Sequence, residues 1–282
     1  MHTSIQTALI EAASRLKAHS DSSMLDAELL LAAVLDQTRT YLKTWPERML
    51  NEQQHSQFGG YVQRREQGEP IAYILGKQGF WTFDLTVTPA TLVPRPETEL
   101  LVEQALQKLA GLEHPVIVDL GTGSGAIALA IASERTDATV IATDYMASAL
   151  RIAVQNAKQL ELTNVHFLCG SWATCFRPDS FDVIVSNPPY IAQDDPDLSS
   201  QVSRHEPTSA LIADNNGMAD IEKICAQSVD VLKQGGWLIL EHGWKQSEAV
   251  KNVLLKNQFV DIETLKDLAG HDRVSLGQKK RS

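Results

Sequence analysis

From residue 116 onward, strand patterns alternate with helix patterns, and this alternation restricts the possible folds more than any other feature of the chain. It predicts an α/β fold with a mostly parallel sheet covered by helices on both faces. The last two strand patterns have no convincing helix between them, so we expect one of them to run antiparallel at the sheet edge. The strand patterns lie at 116–118, 139–143, 165–168, 181–186, 237–241, 259–265 and 273–276, and the helix patterns at 126–133, 147–160, 218–232 and 247–256.

The part of the chain before this alternation has a different texture. Residues 1–67 show apolar side chains at helical spacing and predict a small helical bundle. The bundle carries no visible chemistry; it is compatible either with recognition of a macromolecular partner or with packing support alone. Residues 68–95 predict a hairpin linker with strands at 71–75 and 80–87, interrupted by glycines. The main domain is then expected at 96–282, and 282 residues suffice for a main domain plus a smaller one.

A glycine-rich turn follows the first strand of the alternating region. Glycines here allow the backbone to approach a ligand closely at a helix N-terminus, where free N–H groups face it. Asp144 ends the next strand, at the distance where an acidic side chain meets ribose hydroxyls. The pattern favours nucleoside binding over an ordinary tight turn, and Trp172 is a candidate to cover an adenine face or simply a packed aromatic. The residues of the turn are Gly121, Thr122, Gly123, Ser124 and Gly125.

This turn alone does not identify the nucleoside. The spacing of Gly121, Gly123 and Ala126 satisfies a dinucleotide fingerprint, so NAD stays open on this stretch. S-adenosylmethionine is compatible with the turn and also with the fourth strand, where no hydride-transfer chemistry is visible. An amino-acid tail would then lie near the glycines, and the ribose near Asp144.

Four residues after the fourth strand, Asn187, Pro188, Pro189 and Tyr190, combine an amide, a backbone without donors and an aromatic ring. Two successive prolines have no N–H to donate and hold a rigid bend. The carbonyl oxygens of Asn187 and Pro188 are therefore expected to be free acceptors, suited to a planar NH2 group over which Tyr190 stacks. The alternative interpretation is a strand followed by a proline-rich turn.

Composition excludes several classes of protein. The net charge of −10 disfavours non-specific binding to nucleic acid, since that affinity comes mainly from neutralising phosphates. No apolar run approaches the ~20 residues that span a bilayer, and the first residues lack the pattern of a secretion signal. Three cysteines without metal-ligand spacing predict reduced thiols, no metal site and a cytoplasmic protein.

Taken together, the motifs resemble the class I methyltransferases, and more narrowly the PrmC/HemK family of release factor glutamine methyltransferases. Asn-Pro-Pro-Tyr alone is also similar to adenine and cytosine amino methyltransferases, but Pro-Arg-Pro-Glu-Thr-Glu at 94–99 and the helical front narrow the resemblance. The match covers nearly the whole chain, and its segments are 68–76, 94–99, 119–125, 187–190, 206–207 and 240–243.

The resemblance implies a Rossmann-like domain with a seven-stranded sheet and methylation of a glutamine side-chain amide nitrogen in the Gly-Gly-Gln motif of release factors. It assigns S-adenosylmethionine to Gly121–Gly125, Asp144, Trp172 and Asn187, and the substrate amide to 187–190. Ser171 departs from the family where an acidic residue often precedes the tryptophan, and His205 departs where an aromatic residue is expected.

From these residues we expect the Asn187 side-chain oxygen and the Pro188 carbonyl to accept the two N–H groups of the substrate amide. Three alternatives stay open: a DNA amino methyltransferase, a non-catalytic S-adenosylmethionine-binding protein and an NAD-binding protein. The roles of five further residues are undecided between the site and ordinary structure, namely Phe80, Arg95, Glu97, Glu241 and His242.

Overall fold

The structure is a computed structural model that describes residues 3–195 and 205–281. It divides into two compact units at Lys77 and Gln78. Within the described residues, no helix is both long and apolar enough to cross a membrane.

The first unit consists of helices around one apolar core. Side chains cap three of the helices, because Ser4, Thr38 and Asn51 each accept a hydrogen bond from a backbone N–H of the first turn. The interior contains Ile5, Leu30 and other apolar residues of all five helices. These helices are α1 Ile5–Leu16, α2 Ser23–Leu35, α3 Arg39–Thr44, α4 Glu52–Glu66 and α5 Ile71–Leu75.

Helix α5 corrects the prediction of a strand at 71–75. The backbone N–H groups of Tyr73 and Ile74 bond to the Pro70 carbonyl, and Gly76 ends the helix with a φ of 72°. Five apolar residues are too few for periodicity to separate a buried strand from a buried helix turn. The hairpin itself is real but begins later, with β1 Lys77–Phe80 and β2 Phe83–Thr86.

The second unit is a seven-stranded sheet covered by helices. A short 3-10 helix, η1 Pro96–Thr98, leads into α6 Glu99–Lys108 before the sheet begins. The strand order across the sheet is β5-β4-β3-β6-β7-β9-β8. The strands are β3 Val116–Leu120, β4 Thr139–Asp144, β5 Val165–Cys169, β6 Phe181–Ser186, β7 Leu232–Glu241, β8 Phe259–Lys266 and β9 Asp272–Lys279. The helices among them are α7 Ala126–Glu134, α8 Ala147–Gln159, α9 Ala219–Val231 and α10 Ser247–Lys256.

The predicted α/β fold with a mostly parallel sheet is confirmed, and so is the antiparallel strand at one edge region. Strands β3 to β7 pair in parallel, and β9 pairs antiparallel with both β7 and β8. The antiparallel strand therefore lies one position inside the edge, and β8 is outermost. β7 also begins at Leu232 rather than at the predicted 237, so the two glycines at 235 and 236 lie within the strand.

The strand order reverses next to β3, and this reversal positions the site. After β3 the chain proceeds outward through β4 and β5, then crosses back to place β6 on the other side of β3. The loops after β3 and β6 therefore leave the same carboxyl edge side by side, which is where open α/β sheets bind ligands. Val118 of β3 pairs with Ile184 of β6, 66 residues later in the chain. The glycine turn that follows β3 and the Asn-Pro-Pro-Tyr loop that follows β6 are therefore neighbours.

Candidate active site

A cavity of about 370 Å³ opens at the carboxyl edge of the sheet. The loops after β3, β4, β5 and β6 supply much of its wall, and segments before η1 and around a second 3-10 helix, η2 Thr208–Ala210, supply the rest. Its size is in the range of pockets that hold a small molecule. Its lining comprises Ala90, Thr91, Leu92, Pro94, Arg95, Thr98, Gly121, Thr122, Gly123, Ser124, Ala126, Ile127, Asp144, Tyr145, Met146, Ala149, Gly170, Ser171, Trp172, Asn187, Pro189, Pro207, Ser209, Ala210, Asp220 and Lys223.

Asp144 is bound to the glycine turn by its carboxylate. One oxygen accepts the Gly123 N–H at 2.9 Å, and the other accepts the Met146 N–H at 2.8 Å. Burial raises the pKa of this carboxyl, while the two backbone donors oppose the rise. Because each oxygen has a second lone pair, the side chain retains acceptor capacity toward the cavity that it lines. Such acceptors are compatible with the hydroxyl groups of a ribose, and this role of Asp144 stays a prediction.

Trp172 lies against the glycine turn. Its backbone has a φ of 47°, and a Cβ built on Gly121 would stand 3.2 Å from its ring carbon Cζ3. The missing side chain at Gly121 therefore leaves a space that the indole ring borders, next to Asp144 in the same cavity. A flat apolar wall beside a carboxylate with free acceptor capacity suits an adenosine group, so the residues present are compatible with S-adenosylmethionine.

Asp119 was not predicted as a site residue, yet it holds the glycine turn in place. Its Oδ2 accepts the Thr122 hydroxyl at 2.6 Å and the Ala128 N–H at 3.2 Å, while Oδ1 is buried without a partner among the described residues. Burial raises the pKa of this carboxyl to about 7. Its position at the end of β3, directly before the glycines, is the signal by which the sequence identifies it.

Asn187 lines the cavity beside the glycine turn, with its side chain half-buried. Its Nδ2 donates to the Thr98 hydroxyl oxygen at 3.3 Å, and that hydroxyl donates to Glu241 Oε2 at 2.7 Å. Neither the Asn187 side-chain oxygen nor the Pro188 carbonyl accepts a hydrogen bond from any residue that the structure describes. Two consecutive residues at the end of β6 thus each carry an unused oxygen acceptor, and of the two only Asn187 is a cavity-lining residue.

The two prolines and the tyrosine occupy different environments. Pro189 lines the cavity and Pro188 is buried beside it. The Tyr190 ring packs against an apolar core cluster, and its hydroxyl donates to Glu241 Oε1 at 3.2 Å. Since Tyr190 is not among the cavity-lining residues, its stacking on a substrate amide stays a prediction. Burial raises the pKa of its phenol above the ordinary range.

The loop after β6 is held from behind by residues that carry no sequence motif. The Gln246 amide donates to the Tyr190 carbonyl at 2.9 Å and to the Asn216 carbonyl at 3.2 Å. Gly217 packs directly on the same Tyr190 carbonyl. These contacts join residues far apart in sequence, so no local pattern indicates them.

A second long-range contact closes the cavity rim. Glu206, whose side chain is nearly inaccessible, accepts a hydrogen bond from Arg95 and another from the Val93 N–H at 3.1 Å. This pairing connects the Pro-Arg-Pro segment before η1 to the segment that reaches Pro207. Arg95 and Pro207 both line the cavity. The undecided residue Arg95 therefore lies at the cavity wall, paired with Glu206.

The other undecided residues divide between core and support. Phe80 is buried in the core, and the Trp81 indole, next to it in the hairpin, donates to Glu134. Neither residue is among those that line the cavity. His242 is buried and bonds through Nε2 to the Ser275 hydroxyl. Ser171 lines the cavity without supplying the carboxylate usual in the family. Glu97 lies outside the lining, and Arg204, beside His205, lies outside the described residues.

The comparisons with known proteins agree with this arrangement. A family model described as the PrmC N-terminal domain matches residues 7–76, and one described as a methyltransferase domain matches residues 113–279. A solved methyltransferase structure from Pyrococcus furiosus superposes with a TM-score of 0.52 at 20% identity, covering 79% of this chain and 99% of the other. The fold and the site define a class I methyltransferase.

Curated relatives narrow the class. The release factor glutamine methyltransferase of Salmonella typhimurium is 48% identical over 270 residues, which cover 96% of this chain and 97% of the relative. The protein of the same name from Escherichia coli K12 is 47% identical over 271 residues, with coverages of 96% and 97%. The chain belongs to the family of release factor glutamine methyltransferases. The predicted family is thereby confirmed, and neither the DNA-modifying nor the non-catalytic alternative is favoured.

Proposed function

We propose that this chain transfers a methyl group from S-adenosylmethionine to the side-chain amide nitrogen of the glutamine in the Gly-Gly-Gln motif of peptide chain release factors. The observation that carries the proposal is the pair of unused acceptors, the Asn187 side-chain oxygen and the Pro188 carbonyl, beside the cavity. A primary amide has two N–H donors in one plane, and two adjacent acceptors match them.

The cofactor would be held by the side of the cavity that contains Asp144, Trp172 and the glycine turn. Asp144 offers the remaining lone pairs of its carboxylate to the ribose hydroxyls, and the Trp172 ring borders the space for a purine. When bound, S-adenosylmethionine supplies a methyl group on a positively charged sulfur, which leaves as a neutral thioether. Asp119 contributes by fixing the turn through Thr122 and the Ala128 N–H.

The two acceptors serve to orient and activate a poor nucleophile. The amide nitrogen lone pair is delocalised into its carbonyl, so hydrogen bonds from both N–H groups must hold the nitrogen and favour electron density on it. The nitrogen forms the new C–N bond as the C–S bond breaks, and one N–H proton then passes to water. No covalent intermediate with the protein is required.

The test is incubation of the purified chain with methyl-labelled S-adenosylmethionine and a purified release factor, followed by mass mapping. Label on the motif glutamine is expected, and a release factor with glutamate at that position should stay unlabelled. Asn187→Ala should lower turnover at least about a hundredfold while changing cofactor affinity much less. Near-normal turnover in that variant would show that Asn187 is not an acceptor for the substrate amide. Label in duplex DNA instead would favour the amino methyltransferase alternative, which the net charge of −10 opposes.

For recognition of the protein substrate we propose the helical front, residues 1–67. It exposes large apolar side chains, with Ile10 at 56%, Trp45 at 51% and Met49 at 51% of their full accessibility. Contiguous apolar patches mark contact surfaces, and a Trp45 variant tests whether these side chains form one. Trp45→Ala is expected to raise the KM for the release factor while leaving S-adenosylhomocysteine binding unchanged. An unaltered KM would exclude this residue from the contact.

A further inference from the structure

We propose that Thr98 and Glu241 are positioning residues that fix which way the Asn187 carboxamide faces, so that its oxygen rather than its NH2 group meets the substrate. The inference rests on the proposed function, since it explains how one of the two acceptors comes to be an acceptor. An asparagine side chain is nearly symmetric in shape but opposite in polarity at its two ends. Without an external constraint, either end can face the cavity.

The constraint is a chain of hydrogen bonds that runs inward from the cavity. Asn187 Nδ2 donates to Thr98 Oγ1 at 3.3 Å, and Thr98 Oγ1 donates to Glu241 Oε2 at 2.7 Å. The second Glu241 oxygen accepts the Tyr190 hydroxyl at 3.2 Å. Glu241 is fully buried at the end of β7, and Thr98 is 3% exposed at the end of η1. The Thr98–Glu241 end of the chain is therefore shielded from bulk water, and the carboxylate sets the direction of the Thr98 hydroxyl.

The polarity of this chain follows from the donors available. An ionised carboxylate only accepts hydrogen bonds, so the single proton of the Thr98 hydroxyl is directed to Glu241. Thr98 Oγ1 then presents only lone pairs to Asn187. The NH2 group of Asn187 can donate to those lone pairs, whereas its oxygen would face them with no hydrogen to share. The buried carboxylate thus determines the orientation of an amide two hydrogen bonds away.

A purely structural role for the same contacts predicts different behaviour. If Thr98 and Glu241 only satisfy buried polar groups, their removal lowers the stability of the fold and affects every function of the site together. If they orient Asn187, their removal lowers kcat and leaves the cofactor side of the cavity unaffected. Asp144 and Trp172, which form that side, have no hydrogen bond to Thr98 or Glu241 within the part of the chain described.

Thr98→Val removes the hydroxyl and retains the shape of the side chain, and Thr98→Ser retains the hydroxyl. Thr98→Val is expected to lower kcat about tenfold or more, with less than about a threefold change in the calorimetric Kd for S-adenosylhomocysteine. Thr98→Ser should restore most of the lost kcat. The matched control is Ser228→Ala, which removes a buried hydroxyl of α9 that has no hydrogen-bond partner among the described residues, and it should retain wild-type kcat. Failure of the serine variant to exceed the valine variant would overturn the inference.

Asn187→Ala separates this inference from the proposed function. If Asn187→Ala retains turnover, the amide-binding role itself fails. If Asn187→Ala is inactive and Thr98→Val has normal kcat, only the positioning role fails. In the Asn187→Ala background, Thr98→Val should cost no more than about twofold, because no carboxamide remains to be oriented. A full additional loss in the double variant would contradict the proposed coupling.

Discussion

The α-carbon of Gly217 lies so close to the Tyr190 carbonyl that a Cβ at position 217 would stand 2.0 Å from that oxygen. The same glycine has a φ of 81°, in the left-handed region that favours glycine. Gln246 bonds to this carbonyl at 2.9 Å from another direction. The backbone of the Asn-Pro-Pro-Tyr loop is therefore positioned by close packing behind it, and not by its own two prolines alone.

Gly217→Ala should displace this loop and impair both stability and turnover. The collision is with backbone, so the loop or α9 must shift, and we expect the free energy of unfolding to fall by about 1–3 kcal/mol beyond the φ penalty. Gly270→Ala is the matched control, because Gly270 has a φ of 83° and nothing within 4 Å of a built Cβ. Both the free energy of unfolding in urea and kcat should be lower in Gly217→Ala than in Gly270→Ala. Equal effects in the two would show that only the backbone conformation matters.

Gly121→Ala tests the wall of the cofactor side. The added Cβ would stand 3.2 Å from the Trp172 ring, so the ring must move into the cavity or away from it. We expect S-adenosylhomocysteine to bind about tenfold more weakly, which is ~1.4 kcal/mol. Gly111→Ala, with a φ of 80° and open space around the built Cβ, serves as the control for backbone strain. Isothermal calorimetry on both variants measures the Kd for S-adenosylhomocysteine. An unchanged Kd in Gly121→Ala would show that the cofactor does not bind beside Gly121 and Trp172.

Local patterns predicted the framework of the molecule because each strand and helix of the second unit carries its own periodicity. The strands from β3 to β6 and the helices α7, α8 and α10 appeared within a few residues of their predicted bounds. The first four residues of the glycine turn line one cavity with Asp144, Trp172 and Asn187, as expected from loops at the same sheet edge, whereas Gly125 packs against Leu129 and Ala153 outside the lining. The prediction of a strand at 71–75, where the structure has helix α5, was wrong because five apolar residues carry too little periodicity.

What the sequence did not indicate is the set of contacts between distant segments. Thr98 and Glu241 are 143 residues apart, and Arg95 and Glu206 are 111 residues apart. All four residues lie in segments that carry the family resemblance, but the role of each depends on a partner that only the folded chain brings near. Glu241 could be placed at the edge facing the site, but the direction of its hydrogen bonds follows only from the neighbours it meets.

Asp119→Asn should flatten the pH dependence of stability. Burial raises the pKa of the Asp119 carboxyl from an ordinary value near 3.8 to about 7, so the folded chain retains a proton that the unfolded chain has lost. That contribution is present at low pH and disappears as pH rises to about 7, with a slope of at most ~1.4 kcal/mol per pH unit. Urea unfolding between pH 5 and pH 8 should show a smaller decline in the variant. If the free energy of unfolding falls with pH equally in the wild type and in Asp119→Asn, the raised pKa does not belong to Asp119.

The activity of the wild-type chain should fall as pH drops through about 7, and Glu241→Gln should lack this acid limb. Burial raises the pKa of the Glu241 carboxyl to about 7, Glu97 adds to the rise, and Thr98, Arg273 and Tyr190 oppose it. A protonated Glu241 can donate to Thr98, whose hydroxyl is then free to donate to the oxygen of Asn187 and reverse its amide.

Glutamine at position 241 can also present either polarity, and it does so at every pH. The kcat of Glu241→Gln should therefore be low and nearly constant from pH 6 to pH 8.5. The wild-type kcat should rise over the same range and level off above the pKa of Glu241. Measurement at saturating cofactor and release factor isolates kcat from binding. The Asp119 carboxyl titrates in the same window, so Asp119→Asn is the comparison that assigns the limb: this variant should keep the acid limb if Glu241 is its source. An acid limb that persists unchanged in Glu241→Gln would locate the titrating group elsewhere.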